Sequence, residues 1–245
     1  MMRNEFVRII RIWSQTLLPP VVTTSLYFVV FGKFIGSQLH PIHGFTYIQF
    51  IVPGLIMMSV ITSSYMNTVS TFYFAKWTKT LDEILVSPMP DWLVILGFMS
   101  GGVLRGLLVG VLVLVVSLFF THLVIVNALI LVAAIVLTSV LFSLAGLING
   151  VFAKGFDGIS IVPTFVLTPL TYLGGIFYSI QQFTPFWQKV SLFNPILYMI
   201  NAFRYGFLGI SDIPLATCFA VLGGFTVVFV GVAIYLFRNG IGLKN

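Results

Sequence analysis

Long apolar runs recur along the chain, and the polar positions between them are bunched rather than spread. Six runs are long enough to cross a hydrocarbon core of about 30 Å, which takes roughly 20 helical residues. They cover approximately Leu18 to Ile35, Ile48 to Val69, Leu93 to Phe119, Ala128 to Phe152, Ile159 to Tyr178 and Leu215 to Phe237. Because the runs are continuous rather than alternating, they disfavour a β-barrel, and in lipid only helices or closed barrels satisfy the backbone. The pattern predicts an all-α polytopic membrane protein with six transmembrane helices in a single transmembrane domain over residues 1–245.

The segments outside these runs have patterns of their own. From Met1 to Leu17, Phe6, Ile9, Ile10, Trp13 and Leu17 recur at helical spacing, with Arg3, Arg8, Arg11 and Gln15 between them. Residues 1–17 thus read as an amphipathic helix on the inner membrane surface or, more plainly, as a solvated leader that sets topology. No A-x-A cleavage pattern follows, so the mature chain is expected to start near Met1. Residues 181–213 are too long for a turn and too interrupted for a span, and their aromatic density fits short outer helices at the interface, as anchors or as a lid over an exit. The fifth run carries Pro163 and Pro169, which predict a bent helix that either lines a route or is an ordinary kink. In the third run, Gly102-x-x-x-Gly106-x-x-x-Gly110 has the small-residue spacing that lets helix backbones approach.

Composition agrees with a membrane protein. Hydrophobic residues make up 59% and charged residues 7% of the chain, and the mean hydropathy is +1.10. A net charge of +6 is compatible with nucleic-acid binding, but the basic residues follow the bias toward inner loops instead. Arg3, Arg8, Arg11, Lys76, Lys79, Lys154, Arg238 and Lys244 fall on one side if both termini are cytoplasmic, with Lys189 and Arg204 outside. Lys33 and Arg105 sit near span ends, and Arg105 is the candidate for a cation inside the membrane, either contacting an anionic substrate headgroup or reaching back to the cytoplasmic surface from a turn or two within. Cys218 is the only cysteine, so no intramolecular disulfide forms. His40, His43 and His122 lack the converging partners of a zinc site, and no metal is expected.

Charges concentrate in KWTKTLDEILVSPMPDW, residues 76–92. Thr80-Leu-Asp-Glu83 has capping-box spacing, Leu81, Ile84 and Leu85 share a face, and Ser87-Pro88 stops the helix. A helix of about two turns is not stable alone, so it rests either on the membrane surface or against a partner to which it presents Asp82 and Glu83. At this point EILVSPMPDWLVILG (Glu83 to Gly97), FVLTPLTYLGGIFYS (Phe165 to Ser179) and FNPILYMINAFRYGFLGISD (Phe193 to Asp212) resemble type-2 ABC transporter permeases of bacterial inner membranes, and the resemblance covers essentially the whole chain.

That resemblance implies a homodimer bound to two copies of a separate ATPase subunit, with residues 76–92 as the cytoplasmic coupling-helix loop. The coupling residues are then Thr80, Leu81, Asp82, Glu83, Ile84 and Leu85, flanked by Lys76 and Lys79, with a smaller contact at Lys154 and Asp157. No GxxxxGK[ST] loop occurs in the chain, so ATP and magnesium are expected on the partner and no cofactor or catalytic residue here. The implied activity is export of an amphipathic, lipid-like or saccharide-type substrate, along a route that includes Arg105, Pro163, Pro169, Tyr172, Tyr178 and Trp187. An ion-coupled transporter or channel is the alternative, weakened because all six acids fall outside the expected spans. An intramembrane enzyme is disfavoured, since Thr62, Ser63, Ser64 and Thr68 have no base in their span.

Overall fold

The computed structural model describes residues 11, 13–38, 41–42 and 44–243. Most of the expected N-terminal amphipathic helix, together with His40 and His43, therefore lies outside the described residues. The described chain is helical, and its one β feature is an isolated bridge between Ile42 and Phe45. We number the helices α1 (Trp13–Thr16), α2 (Leu18–Tyr27), α3 (Tyr47–Trp77), α4 (Thr80–Val86), α5 (Asp91–Ser117), α6 (Ala128–Phe152), α7 (Phe156–Val162), α8 (Thr168–Tyr172), α9 (Pro185–Leu192), α10 (Pro195–Leu208) and α11 (Leu215–Arg238). A π-helical stretch, Phe28–Ile35, extends α2, and a second, Pro163–Leu167, joins α7 to α8.

Among the described residues, five stretches are long and apolar enough to cross a membrane: Trp13–Gly32, α3, α5, α6 and α11. The expected span from Ile159 to Tyr178 differs. Its helical run starts earlier, at Phe156, widens to π geometry at Pro163 and ends at Tyr172, where a turn through Gly175 (φ +79°) begins. Pro163 and Pro169 have no amide hydrogen to donate, which is the physical reason for the wide turn. The second expected span is corrected in the other direction, since α3 continues from Val69 to Trp77.

α3 is the hub, packed against α5, α6 and α10. Its contact with α5 is made by glycine: a Cβ on Gly102 would lie 2.1 Å from Thr68 Oγ1 and 2.5 Å from Ser143 Oγ, and one on Gly106 would lie 2.0 Å from Ser64 Oγ. The Gly-x-x-x-Gly spacing thus seats α5 between α3 and α6, on a seam of small hydroxyl residues. α6 starts at Asn127, whose side chain accepts from the Ile130 amide at 3.2 Å. α10 has Asn194 at its N-cap, Pro195 in its first turn and Gly209 (φ +70°) just past its end, a set of start and stop signals that agree.

Candidate functional site

α4 sits at the end of the bundle where α3 gives way to α5. Leu81 is 1% exposed and belongs to a local core with Phe72, Val94, Phe98, Phe237 and Leu243. Ile84 and Leu85 pack against the same cluster. A helix too short to persist by itself is therefore held by its own bundle rather than by a lipid surface. Asp82, Glu83 and Val86 remain exposed, Val86 at 87%.

The start of α4 departs from the expected capping box. The helix already includes Thr80, and the cap position is Lys79, in the left-handed region at φ 60°. The Thr80 hydroxyl lies 3.0 Å from that of Thr78 instead of accepting from the Glu83 amide. Lys79 is exposed, whereas Lys76 turns inward and its Nζ donates to the Val151 carbonyl at 3.0 Å, at the C-terminal end of α6 where a cation is favoured. Lys154 and Asp157 are both exposed in the neighbouring loop and the first turn of α7. Phe156 brings that loop to α3, with its ring 5.2 Å from Tyr73 and 5.9 Å from Trp77. The two charged groups expected to meet a partner thus share one end of the molecule.

A groove of about 350 Å³ opens between α2 and α3. Arg105 forms part of its wall, and its Nη2 donates to the Thr16 carbonyl at 3.2 Å. Arg105 stands about 21 Å along α5 from Asp91. The guanidinium is thus held beside the middle of α5 by the junction of α1 and α2. At the other end of the groove, the Tyr27 hydroxyl lies 3.1 Å from that of Tyr172, and the Tyr172 ring stacks on Phe177 at 5.8 Å. The Tyr178 hydroxyl donates to the Tyr172 carbonyl. Of the expected route residues, Arg105 alone lines the groove, while Tyr172 and Tyr178 are linked to its Tyr27 end without forming its wall. Trp187 is instead half-exposed on α9 and pairs with Phe186, and Pro163 and Pro169 bend the run leading to Tyr172 without entering the groove wall.

Arg204, which the sequence reading assigns to the outer segment without a role, is 1% exposed. Its guanidinium lies 3.8 Å from the centre of the Phe50 ring, and Nη2 donates to the Gly175 carbonyl at 2.6 Å. Burial pulls its pKa down to about 10 against the opposing pull of Asp212, so it stays a cation at neutral pH. Asp212 accepts from Ser179 Oγ at 2.8 Å and the Ile180 amide at 3.2 Å, while its own amide donates to Asn201 Oδ1 at 2.9 Å. This network ties α10 to the turns on either side. The available sequence signal is an arginine amid Phe203, Tyr205 and Phe207 with an acid eight positions on.

The family model described as ABC-2 type transporter matches residues 1–208. The chain is 56% identical over 242 residues to the inner membrane transport permease YadH of Escherichia coli (strain K12), covering 99% of this chain and 94% of that protein. It is 23% identical over 216 residues to nodulation protein J of Neorhizobium galegae, covering 87% and 82%. A second nodulation protein J, from Sinorhizobium fredii (strain NBRC 101917 / NGR234), is 25% identical over 182 residues, covering 74% and 69%.

Proposed function

The chain belongs to the ABC-2 type transporter family as a membrane subunit of an ABC transporter, and from that premise we propose that it works as an exporter driven by a separate ATPase docked on α4. One observation carries the reading: Leu81 anchors α4 in the bundle while Asp82 and Glu83 stay exposed at its first turn. A partner that binds those carboxylates grips an element packed on α3, α5 and α11, so its displacement moves the bundle rather than a loose loop. Lys79, Lys154 and Asp157 extend the same surface.

In this reading α4 faces the cytoplasm of a bacterium, the protein resides in the inner membrane, and the bent run from Phe156 to Tyr172, about 25 Å long, is a short fifth crossing. Six crossings with both termini inside follow from the basic-residue bias. Two copies of the chain pair, each with one ATPase subunit holding ATP and magnesium. The cargo is amphipathic, and the groove lined by Arg105 and Tyr27 is its route.

The test is a gentle purification from native membranes of the tagged wild type and of the double reversal Asp82→Lys with Glu83→Lys. The expected result is a co-purifying ATP-hydrolysing subunit with the wild type and none with the reversal. A folded, dimeric wild type that brings down no ATPase would remove the energy source and leave ion coupling as the better account.

A further inference from the structure

α4 has seven residues and a single fully buried side chain, Leu81, so its position depends on what closes over that side chain. α3, α5, α6 and α11 each supply residues to the cluster around it, and among the described residues of that cluster Leu243 alone comes from outside a helix. Leu243 is 3% exposed, although it follows the last residue of α11, Arg238, by a further turn of chain. The hydrogen bonds show how the chain comes back. The Gly240 amide donates to the Phe237 carbonyl at 3.1 Å and the Ile241 amide to the Leu236 carbonyl at 3.0 Å, the paired bonds of a Schellman ending, with Gly240 in the left-handed region at φ +64°.

Gly242 makes a second reversal at φ +69°. A Cβ there would lie 2.8 Å from Val151 Cγ1 and 3.0 Å from the Val151 carbonyl oxygen, so a glycine lets the backbone lie against the end of α6. That carbonyl is the one that accepts from Lys76 Nζ of α3. The segment therefore meets α6 at a carbonyl shared with α3, and then places Leu243 in the cluster that holds α4. We propose that residues 239–243 are a hook that positions α4 for its partner, with Leu243 the positioning residue and Gly242 the point where the hook rests on α6. Loosening the hook frees α4 while α3 and α6 stay packed, so docking is weakened without unfolding the bundle. This deepens the exporter reading by naming what fixes the docking surface, and rests on that reading only for the partner being an ATPase. The hook lies outside residues 1–208, the part matched by the family model.

Hydrogen exchange is measured on the isolated full chain in neutral detergent, without ATPase, for the wild type, Leu243→Ala, Leu243→Met, Gly242→Val and Gly240→Ala. The expected result is roughly tenfold faster exchange over 80–86 in Leu243→Ala with exchange over 50–66 of α3 unchanged, and a return toward wild type in Leu243→Met, which refills the cluster. Gly242→Val, by pushing the Val151 carbonyl aside, is expected to raise the labelling of Lys76 by an amine-reactive reagent relative to exposed Lys154. Purified from native membranes, Leu243→Ala brings down less of the ATPase than the wild type does. Unchanged exchange over 80–86 in folded Leu243→Ala overturns the proposal, as does an equal rise throughout α3 and α6, which makes Leu243 an ordinary core residue. No recovery in Leu243→Met, unchanged Lys76 labelling in Gly242→Val, or a Leu243→Ala chain that brings down as much ATPase as the wild type also overturns it. If the wild type brings down none, the exporter reading fails and the exchange and labelling measurements still decide the hook. If Leu243→Ala does not fold, Gly240→Ala takes its place, since it strains the turn where nothing lies within 4 Å, and unchanged exchange over 80–86 then overturns the proposal.

Discussion

α3 and α11 are both long enough to cross a membrane, yet 78% of an apolar 18-residue stretch of α3 is buried inside the protein against 17% of one in α11. The buried helix is the less apolar of the two. In water the order would be reversed. In a bilayer the lipid is as apolar as leucine, so hydrophobicity marks the side that faces lipid and small polar residues mark the side that faces protein. Ser59, Ser63, Ser64, Asn67 and Thr68 are all buried along α3, whereas Val227, Val228, Val232 and Tyr235 lie exposed on α11.

The sharpest way to break this contrast is with glycine. Gly102→Leu drives a side chain into the Ser64 carbonyl and the Thr68 and Ser143 hydroxyls, and is expected to cost about 3 kcal/mol or more, read as loss of folded protein in a thermal-shift assay. Gly223→Ala on α11 meets nothing within 4 Å and is expected to be neutral or to gain up to about 1 kcal/mol from helix propensity. If Gly223→Ala instead separates dimers on size-exclusion chromatography, α11 faces a second copy rather than lipid.

Arg204→Met tests whether one buried cation organises α10. Losing the Gly175 bond and leaving Asp212 with less compensation is expected to cost about 3 kcal/mol, measured by the same assay. Leu81→Ala acts more locally: about 2 kcal/mol is lost from docking of α4, seen as faster hydrogen exchange over 80–86 with α3 unchanged. The smallest effect is expected at Lys79→Gly, which relieves the left-handed strain at the cap and stabilises α4 by up to about 1 kcal/mol, seen as slower exchange over the same residues.

Elements set by local pattern were legible in the sequence. α6 occupies Ala128–Phe152, the bounds its apolar run predicts, and the short helix at Thr80 ends at Val86, before Ser87-Pro88, as the proline requires. The proline-rich run bends as expected, though its early end at Tyr172 depends on the Gly175 turn, a feature that apolarity does not register. What was not legible depends on long-range packing. That Leu81 docks beside Phe237, that Lys76 caps α6 through Val151, and that Arg204 lies over Phe50 all join residues far apart in sequence.

The glycine seam also bears on how such a sequence can change over generations. Gly102 is bracketed at once by Thr68 on one helix and Ser143 on another, so enlarging it demands that residues on both neighbours shrink or move. Drift across that three-way contact is expected in compensated steps, each larger residue accompanied by smaller ones. Exposed positions such as Val227 on α11 carry no such bond to a neighbour and are free to change one at a time, provided they stay apolar.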